Sequence, residues 1–325
     1  MISRRKFISN TSATVLASSL IPWAHAEETY PRRPIKFLVG NPPGGTDDLL
    51  SRTIAQSVGS TLGQPIVVEN KGGGSTTIAG ATLAMSPPDG YNVLCLTSAG
   101  IAQTALRENL RYGLKDFAPI IGIGGYPLAL TVSAESNINT LDELIAKARS
   151  SKGVVFANAG VGTVAHLTAI MFLNTIKGDG LDVAYKNNPE ALQALAGGFA
   201  DMIFASASEA AALRPDKKIK VIAVTSSTRA VNMPDVPTMA ELGYPSINSM
   251  LWHGFVAPAR TPPAIVSKLA DSIETAVNTS AFHNLMDPQA YQTDLIKGAE
   301  LQNFMVTQAA KWKKVIADNK ISVTS

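Results

Sequence analysis

The sequence predicts an α/β protein whose mostly parallel sheet is divided between two lobes. Short apolar runs rich in strand formers alternate with helix-like stretches from residue 35 onward, and such alternation is typical of parallel strands covered by helices on both faces. Two changes of composition, at 122–127 and 225–237, indicate a middle segment inserted into an outer one. We therefore predict two lobes with a ligand cleft between them.

The predicted elements follow one another along the chain. Strands are expected at 35–40, 65–69, 92–97, 128–132, 154–158, 182–185, 201–205, 219–225 and 252–257. Helices are expected at 47–62, 75–85, 141–150, 163–177, 189–197, 263–279 and 300–317. The predicted domains are a signal peptide at 1–26, a discontinuous lobe one at 27–124 and 232–325, and a lobe two at 125–231.

The first 26 residues have the features of an export signal. Arg4 and Arg5 form a twin-arginine pattern, a serine-rich apolar stretch follows, and AHA at 24–26 matches an A-x-A cleavage site. The apolar stretch is too short and too polar to span a membrane. We therefore expect a periplasmic protein whose signal peptide is cleaved after Ala26.

The charge balance changes once the signal is removed. The full chain has 28 basic and 25 acidic residues, and residues 1–26 hold three basic residues and no acid. The remainder is neutral, because 28 − 3 = 25 basic residues face 25 acidic ones. Nucleic acid is therefore not expected as a partner. Cys95 stands alone, so no disulfide is expected.

Residues 35–50 predict the first binding turn. An apolar strand is followed by PPGG at 42–45, which breaks regular structure, and then by Thr46 and Asp47, which suit a helix N-terminus. A strand, a glycine turn and a helix start leave free backbone N–H groups and the positive end of a helix dipole at the sheet edge. This geometry suits an anion, either carboxylate or phosphate. An ordinary tight turn is the alternative.

A second turn, NAGVGTVA at 158–165, also lies between a predicted strand and a predicted helix. Its G-x-G-x-x-A spacing matches the dinucleotide fingerprint, and Asp182 follows about twenty residues later. In the fingerprint, however, the acid ends the second strand, whereas Asp182 begins one. We prefer a helix N-terminus that offers N–H groups and the Thr163 hydroxyl to an anion. The competing hypothesis is a periplasmic α/β enzyme, a nicotinamide-dependent oxidoreductase that uses the 160–165 turn.

Motifs for catalysis and metal binding are sparse. The three histidines beyond residue 26 stand far apart, and the sequence contains no H-x-x-x-H, C-x-x-C or G-x-S-x-G. We therefore expect no enzyme activity, no cofactor and no metal site. Tyr126, Tyr185 and Trp252 lie near predicted strand ends, where aromatic rings either wall a cleft or pack in the core.

Several short motifs together resemble the extracytoplasmic solute receptors of tripartite tricarboxylate transporters, the Bug-type binding proteins. They are PPGGTD at 42–47, GQPIVVENK at 63–71, PDGY at 88–91, DFAP at 116–119, GVGTVAH at 160–166, PDVPT at 234–238 and WHG at 252–254. The resemblance runs through essentially the whole chain beyond the signal. It implies a two-lobed periplasmic binding protein of the flytrap type, type II-like. Such a protein closes on a small carboxylate-bearing metabolite and delivers it to an integral membrane permease.

The resemblance also implies which residues hold the ligand. The glycine turns of the two lobes would grip its carboxylates from opposite sides. These residues are Gly44, Gly45, Thr46 and Asp47 in lobe one and Gly160, Gly162 and Thr163 in lobe two. Ser98, Asn158 and Asp201, the last in a G-G-x-x-D stretch, are expected at the same cleft. A monomer without a cofactor is expected.

One departure from the family pattern concerns specificity. The family usually has P-Y-K-G where this chain has AYKN at 184–187, beside the expected cleft. Ligand identity is therefore not carried over, and di- or tricarboxylates, amino acids and aromatic acids stay open. A sensor receptor that signals through a membrane partner is an alternative to a transport receptor.

Overall fold

The computed structural model describes residues 30–321, so the predicted signal peptide lies outside the described residues. Within this range ten strands are present: β1 (Ile35–Val39), β2 (Ile66–Asn70), β3 (Asn92–Thr97), β4 (Phe117–Ser133), β5 (Val154–Asn158), β6 (Gly180–Ala184), β7 (Met202–Ser206), β8 (Ile219–Val224), β9 (Met250–Pro258) and β10 (Gln292–Lys297). The α-helices of the same range are α1 (Thr46–Leu62), α2 (Thr77–Ala84), α3 (Ser98–Leu106), α4 (Leu141–Ala148), α5 (Val164–Ile176), α6 (Asn188–Ala196), α7 (Ala207–Leu213), α8 (Pro263–Val277), α9 (Ser280–Met286) and α10 (Gly298–Asp318). None of the described helices is long and apolar enough to cross a membrane.

The long strand β4 joins the two lobes. Its first part, up to Pro127, pairs with β9 and β10 in a sheet that also contains β1, β2 and β3. Its second part, from Leu128, pairs with β7 and β8 in a sheet that also contains β5 and β6. The predicted two-lobed α/β fold is confirmed, whereas the predicted lobe boundaries stay predictions.

The expectation of mostly parallel sheets is wrong, because both sheets are mixed. β1 pairs in parallel with β2 and β3, and β5 pairs in parallel with β6 and β7. Every ladder of β4, and the ladder between β3 and β9, is antiparallel. The chain enters the second sheet through β4 and leaves it through β8, and these two strands are antiparallel to each other. The spacing of apolar residues in a sequence does not reveal the direction of a strand.

The register of β4 brings the carboxyl ends of the parallel strands of both sheets to one region. In the first sheet Thr97, the last residue of β3, pairs with His253, which pairs with Gly124. In the second sheet Ser206, the last residue of β7, pairs with Leu128, and β5 runs parallel to β7. The chain segments that follow β1, β3, β5 and β7 therefore face each other around the point where β4 passes between the sheets. We call this point the crossing.

Two helices contribute to the apolar cores of both lobes. Ile101 of α3 and Met305 of α10 lie in a core against the first sheet, with Trp252. Leu106 of α3 and Trp312 of α10 lie in the core against the second sheet. The two helices also contact each other. α3 and α10 therefore tie the lobes together beside the crossing.

The structure contains some elements that the sequence did not predict: the first part of β4, β10, α3, α7 and α9. Glycines explain the omission in β4, since Gly122, Gly124 and Gly125 are typical of a loop. The backbone needs glycine there. A Cβ on Gly124 would lie 2.0 Å from the carbonyl oxygen of Gln292 in β10, and its φ is +106°.

Candidate functional site

A pocket of about 430 Å³ lies at the carboxyl ends of β1 and β3. We call it the lobe-one pocket. The turn before α1, the start of α3 and the end of β9 line it. Its lining residues are Asn41, Pro42, Pro43, Gly45, Thr46, Asp47, Thr97, Ser98, Ala99, Tyr126, Leu251, Trp252 and His253. No lysine or arginine is among these described residues, so an anion here would be held by neutral donors.

The N-termini of α1 and α3 meet at the lobe-one pocket. Gly45, the N-cap of α1, has no side chain to cap the helix. The backbone amides of Thr46 and Asp47 therefore have no hydrogen-bond acceptor within residues 30–321. At α3, the Thr97 hydroxyl caps the amide of Gly100 at 3.2 Å. Uncapped amides and the positive ends of two helix dipoles favour a bound anion.

Asp47 is held by two partners. One carboxylate oxygen accepts a hydrogen bond from Nε2 of His253 at 2.8 Å, and the other accepts from the side-chain amide of Asn41. Burial raises the pKa of Asp47, but the hydrogen bonds from His253 and Asn41 outweigh burial, so the pKa lies below its usual value. Asp47 therefore stays ionised and orders the pocket wall.

Asp48, one residue further, holds the backbone of the same turn. Its carboxylate accepts from the backbone amide of Gly44 at 2.9 Å, from the side-chain amide of Asn70 at 2.9 Å and from the guanidinium of Arg52 at 2.9 Å. Burial raises the pKa of Asp48, but these donors outweigh burial and lower it to about 2. The amide of Gly44 is thus engaged inside the protein.

Tyr126 and Trp252 form an aromatic wall of the pocket at the crossing. Thr46 and Tyr126 both line the pocket. Burial raises the pKa of Tyr126, and the charges of Asp47 and Glu209 raise it further. Tyr126 is therefore a neutral hydroxyl that can donate to a ligand. Glu209 lies in the first turn of α7, so its charge acts on this pocket from lobe two.

Asn158 organises the turn of lobe two. Its Oδ1 accepts from the amide of Gly160 at 2.8 Å, and its side-chain amide donates to Asp182. The other Asp182 oxygen lies 2.8 Å from Nε2 of His166, whose Nδ1 accepts from the amide of Gly162 at 3.2 Å. The ring therefore carries its proton on Nε2. An asparagine, an aspartate and a histidine thus meet at each turn.

The amides of Gly160 and Gly162 are consequently occupied within the turn. The Thr163 hydroxyl donates to the carbonyl of Gly160 at 2.9 Å and caps α5. The amides of Val164 and Ala165 remain without an acceptor in the described part of the chain, so they are the donors that α5 can offer.

The geometry does not support a dinucleotide site at this turn. Both carboxylate oxygens of Asp182 are engaged by Asn158 and His166 rather than open to a ribose. Within residues 30–321 no group of three or more histidine, cysteine or acidic residues is arranged to hold a metal ion.

Asp201 lies apart from the other predicted residues. It precedes β7, whose carboxyl end is at the crossing, and five residues of strand span about 16 Å. Its carboxylate accepts from Nζ of Lys147 at 2.5 Å and from the amide of Val155 at 2.8 Å. Asp201 therefore stabilises the amino end of β5, at the opposite edge of the sheet.

The structure brings the other nine predicted residues to the crossing. Gly45, Thr46, Asp47 and Ser98 line the lobe-one pocket with Gly44 beside them, and Asn158, Gly160, Gly162 and Thr163 form the lobe-two turn. Sequence reasoning missed Asp48, Ala99 and the role of His253. The WHG motif contains His253, but its contact with Asp47 depends on β9 pairing beside β3.

Comparisons with known proteins agree on one family. Residues 50–321 match the family model described as "Tripartite tricarboxylate transporter family receptor", TctC. Protein BugT of Bordetella pertussis (strain Tohama I) is 30% identical over 296 residues, which cover 90% of each chain. A TctC solute-binding protein from Polaromonas, solved without ligand, is 29% identical with a TM-score of 0.78. The match covers 89% of this chain and 100% of that one.

Two similar structures contain ligands. MatC (Rpa3494) from Rhodopseudomonas palustris, with bound malate, is 27% identical with a TM-score of 0.71, covering 88% of this chain and 100% of its own. Rpa4515 from R. palustris, with adipate, is 25% identical with a TM-score of 0.74, covering 90% and 99%. Both ligands are small dicarboxylates.

Proposed function

This chain belongs to the TctC family of tripartite tricarboxylate transporter receptors, and from that membership we propose that it captures a small dicarboxylate at the crossing. The resemblance inferred from the motifs is confirmed, and the chain is a periplasmic solute-binding protein of this family. The dicarboxylate, its delivery to an integral membrane permease and a monomeric state are the proposed parts. A sensor receptor with the same ligand is the alternative to delivery.

The observation that carries the proposal is the meeting of two helix N-termini in a pocket whose described lining contains no lysine or arginine. A carboxylate there would accept from the free amides of α1 and from the hydroxyls of Thr46 and Tyr126. Hydrogen bonds to a charged group contribute about 1.5–3 kcal/mol each. A few such bonds, less the cost of ordering both lobes, support micromolar binding, about −8 kcal/mol.

The second carboxylate belongs to lobe two in this proposal. The uncapped amides of Val164 and Ala165 lie at the start of α5, and the register of β4 directs that turn toward the crossing. Malate and adipate in two relatives support a ligand with two carboxylates. Asp201 is left out of the proposed site because its carboxylate lies at the far edge of the sheet.

Calorimetric titration of residues 27–325 with malate, succinate and adipate tests the proposal. We expect at least one to bind with a Kd near micromolar. Thr46→Val keeps the side-chain shape but removes the hydroxyl, and should weaken that binding about tenfold, about 1.4 kcal/mol. Thr53→Val, on the same helix outside the pocket, should bind like the wild type.

Two results would contradict this proposal. Unchanged affinity in Thr46→Val would place the ligand elsewhere. If a nicotinamide dinucleotide bound and none of the three dicarboxylates did, the result would instead support the oxidoreductase hypothesis for the 160–165 turn.

We also propose that residues 1–26 direct export by the twin-arginine route and are removed after Ala26. The periplasmic location typical of the family supports export. Protein recovered from the periplasm should then begin at Glu27 on N-terminal sequencing. Replacing Arg4 and Arg5 with lysine should leave the protein in the cytoplasm, whereas Arg33→Lys should not. Export of the double-lysine variant would point to the general secretory route.

A further inference from the structure

A second cavity, of about 650 Å³, lies beside the crossing on the side of α3 and α10. Gly124 of β4, Trp252 of β9 and Asn248 in the segment between β8 and β9 line it. Ser98 and Trp252 line both this cavity and the lobe-one pocket, so the two are neighbours. We call it the hinge cavity, because the strands that connect the lobes form its walls.

Lys311 of α10 lines the hinge cavity. Its Nζ donates to the carbonyl of Asn248, lies 3.4 Å from Oγ of Ser249 and lies 4.7 Å from the centre of the Trp312 ring. Within residues 30–321 no carboxylate forms an ion pair with it, although the exposed Asp294 also lines the cavity. Burial lowers the pKa of Lys311 to about 8.

The other lining groups are mostly neutral hydrogen-bonding side chains. They include Ser227, Thr228, Ser246, Gln292 and Gln308. The volume falls in the range of small-molecule sites, about 300–1,000 Å³. A partly buried ammonium without a counter-charge is unfavourable, and an anion that accepts from it and from nearby hydroxyls would relieve that cost. The chemistry of these walls therefore selects for negative charge.

We propose that the hinge cavity is a second binding site, which takes a small carboxylate or inorganic oxyanion on Lys311. Thr228 follows the second sheet, whereas Gln292 and Gln308 belong to β10 and α10. Both lobes therefore contribute to the walls. The site does not depend on which ligand the lobe-one pocket takes.

Tryptophan fluorescence gives a direct readout. Beyond residue 26 the sequence contains two tryptophans, Trp252 and Trp312. One lines the cavity and the other lies under the Lys311 ammonium. Titration with inorganic phosphate at pH 7 should change the fluorescence of the wild type. Lys311→Met should shift the midpoint at least tenfold, whereas Lys313→Met, an adjacent exposed lysine with the same change of charge, should not.

The pH dependence follows from the ammonium. The response of the wild type should fall as the pH rises through 8, because Lys311 then loses the proton that the anion requires. Asp294→Asn should strengthen phosphate binding, since it removes the negative charge that lines the same cavity. An equal phosphate midpoint in the wild type and Lys311→Met would overturn the proposal.

Further variants distinguish a folding defect from a binding defect, a carboxylate from an inorganic oxyanion, and the hinge cavity from the lobe-one pocket. Lys311→Arg keeps the charge and should retain phosphate binding. If this variant loses both phosphate binding and the near-UV circular dichroism signal of the folded protein, Lys311 has a structural role and the proposal is overturned. Two malates per wild-type chain and one per Lys311→Met chain would identify a second carboxylate. One malate in both, with the phosphate response lost only in Lys311→Met, would identify an inorganic oxyanion. Thr46→Val should weaken malate binding in the lobe-one pocket about tenfold yet keep the phosphate response.

Discussion

Asp47 and Asp48 are neighbours in the first turn of α1, yet their carboxylates serve different parts of the site. Asp47 lines the pocket and is held by His253, whereas Asp48 is buried and joins the backbone of Gly44 to Arg52. The helix dipole stabilises an acid at either position and would make the two interchangeable. Their partners make them distinct: Asp48 fixes the backbone of the turn, and Asp47 fixes the pocket wall.

Asp48→Asn should lower the free energy of unfolding at pH 7 by on the order of 1–2 kcal/mol. The folded-state pKa of Asp48, about 2, lies below the ordinary value of 3.8. The stability it contributes is therefore complete above about pH 4 and is lost as the pH falls toward 2. Urea unfolding across this range should show a steeper loss in the wild type than in Asp48→Asn.

Asp142→Asn provides the matched control for that measurement. Asp142 lies in the first turn of α4 and is exposed, so it experiences a helix dipole without the buried network. Its removal should cost no more than about 0.5 kcal/mol. Equal losses in the two variants would mean that the network around Asp48 adds nothing to the helix dipole.

At the level of elements, the two glycine turns were predictable because their signals are local. The order strand, glycine turn and helix start is encoded within about fifteen residues at β1–α1 and again at β5–α5. The turns therefore emerged from residue types alone. What those residues do not encode is which amides stay free, since the amides of Gly160 and Gly162 are taken by Asn158 and His166.

The helix α3 shows why one side of the lobe-one pocket was not predicted from the sequence. It begins directly at the end of β3, without intervening turn residues, and it contains Gly100, a poor helix former. Packing of Ile101 and Leu106 into two different cores stabilises it. Helix propensity is a weak guide where burial in the core decides whether a helix forms. Ser98 was therefore predicted only from the family resemblance, and Ala99 was missed.

His253 illustrates a long-range limit. It contacts Asp47 because Thr97 of β3 pairs with His253 of β9, two residues more than 150 positions apart in the chain. A shift of one residue in that register would turn the histidine to the other face of the sheet. Nothing local in the sequence sets this register, so the Asn–Asp–His group at the lobe-one turn could not be foreseen.

At the level of the whole molecule, the lobes share more than the strands that connect them. α10 has 21 residues, about 31 Å at 1.5 Å per residue. Met305 lies in the core of the first sheet, and Trp312, which is fully buried, lies in the core of the second. Unfolding either lobe alone would expose one end of α10 to water. We therefore infer that the lobes stabilise each other through this helix.

Scanning calorimetry tests this coupling. The wild type should unfold in one transition whose calorimetric and van't Hoff enthalpies agree. Trp312→Ala removes the anchor of α10 in lobe two, should cost about 3–5 kcal/mol, and should split the transition in two. Phe172→Ala removes a fully buried aromatic ring from the same core but from α5. That control should lower the Tm and keep one transition. Two transitions in the wild type, or an equal split in Phe172→Ala, would show that α10 does not couple the lobes.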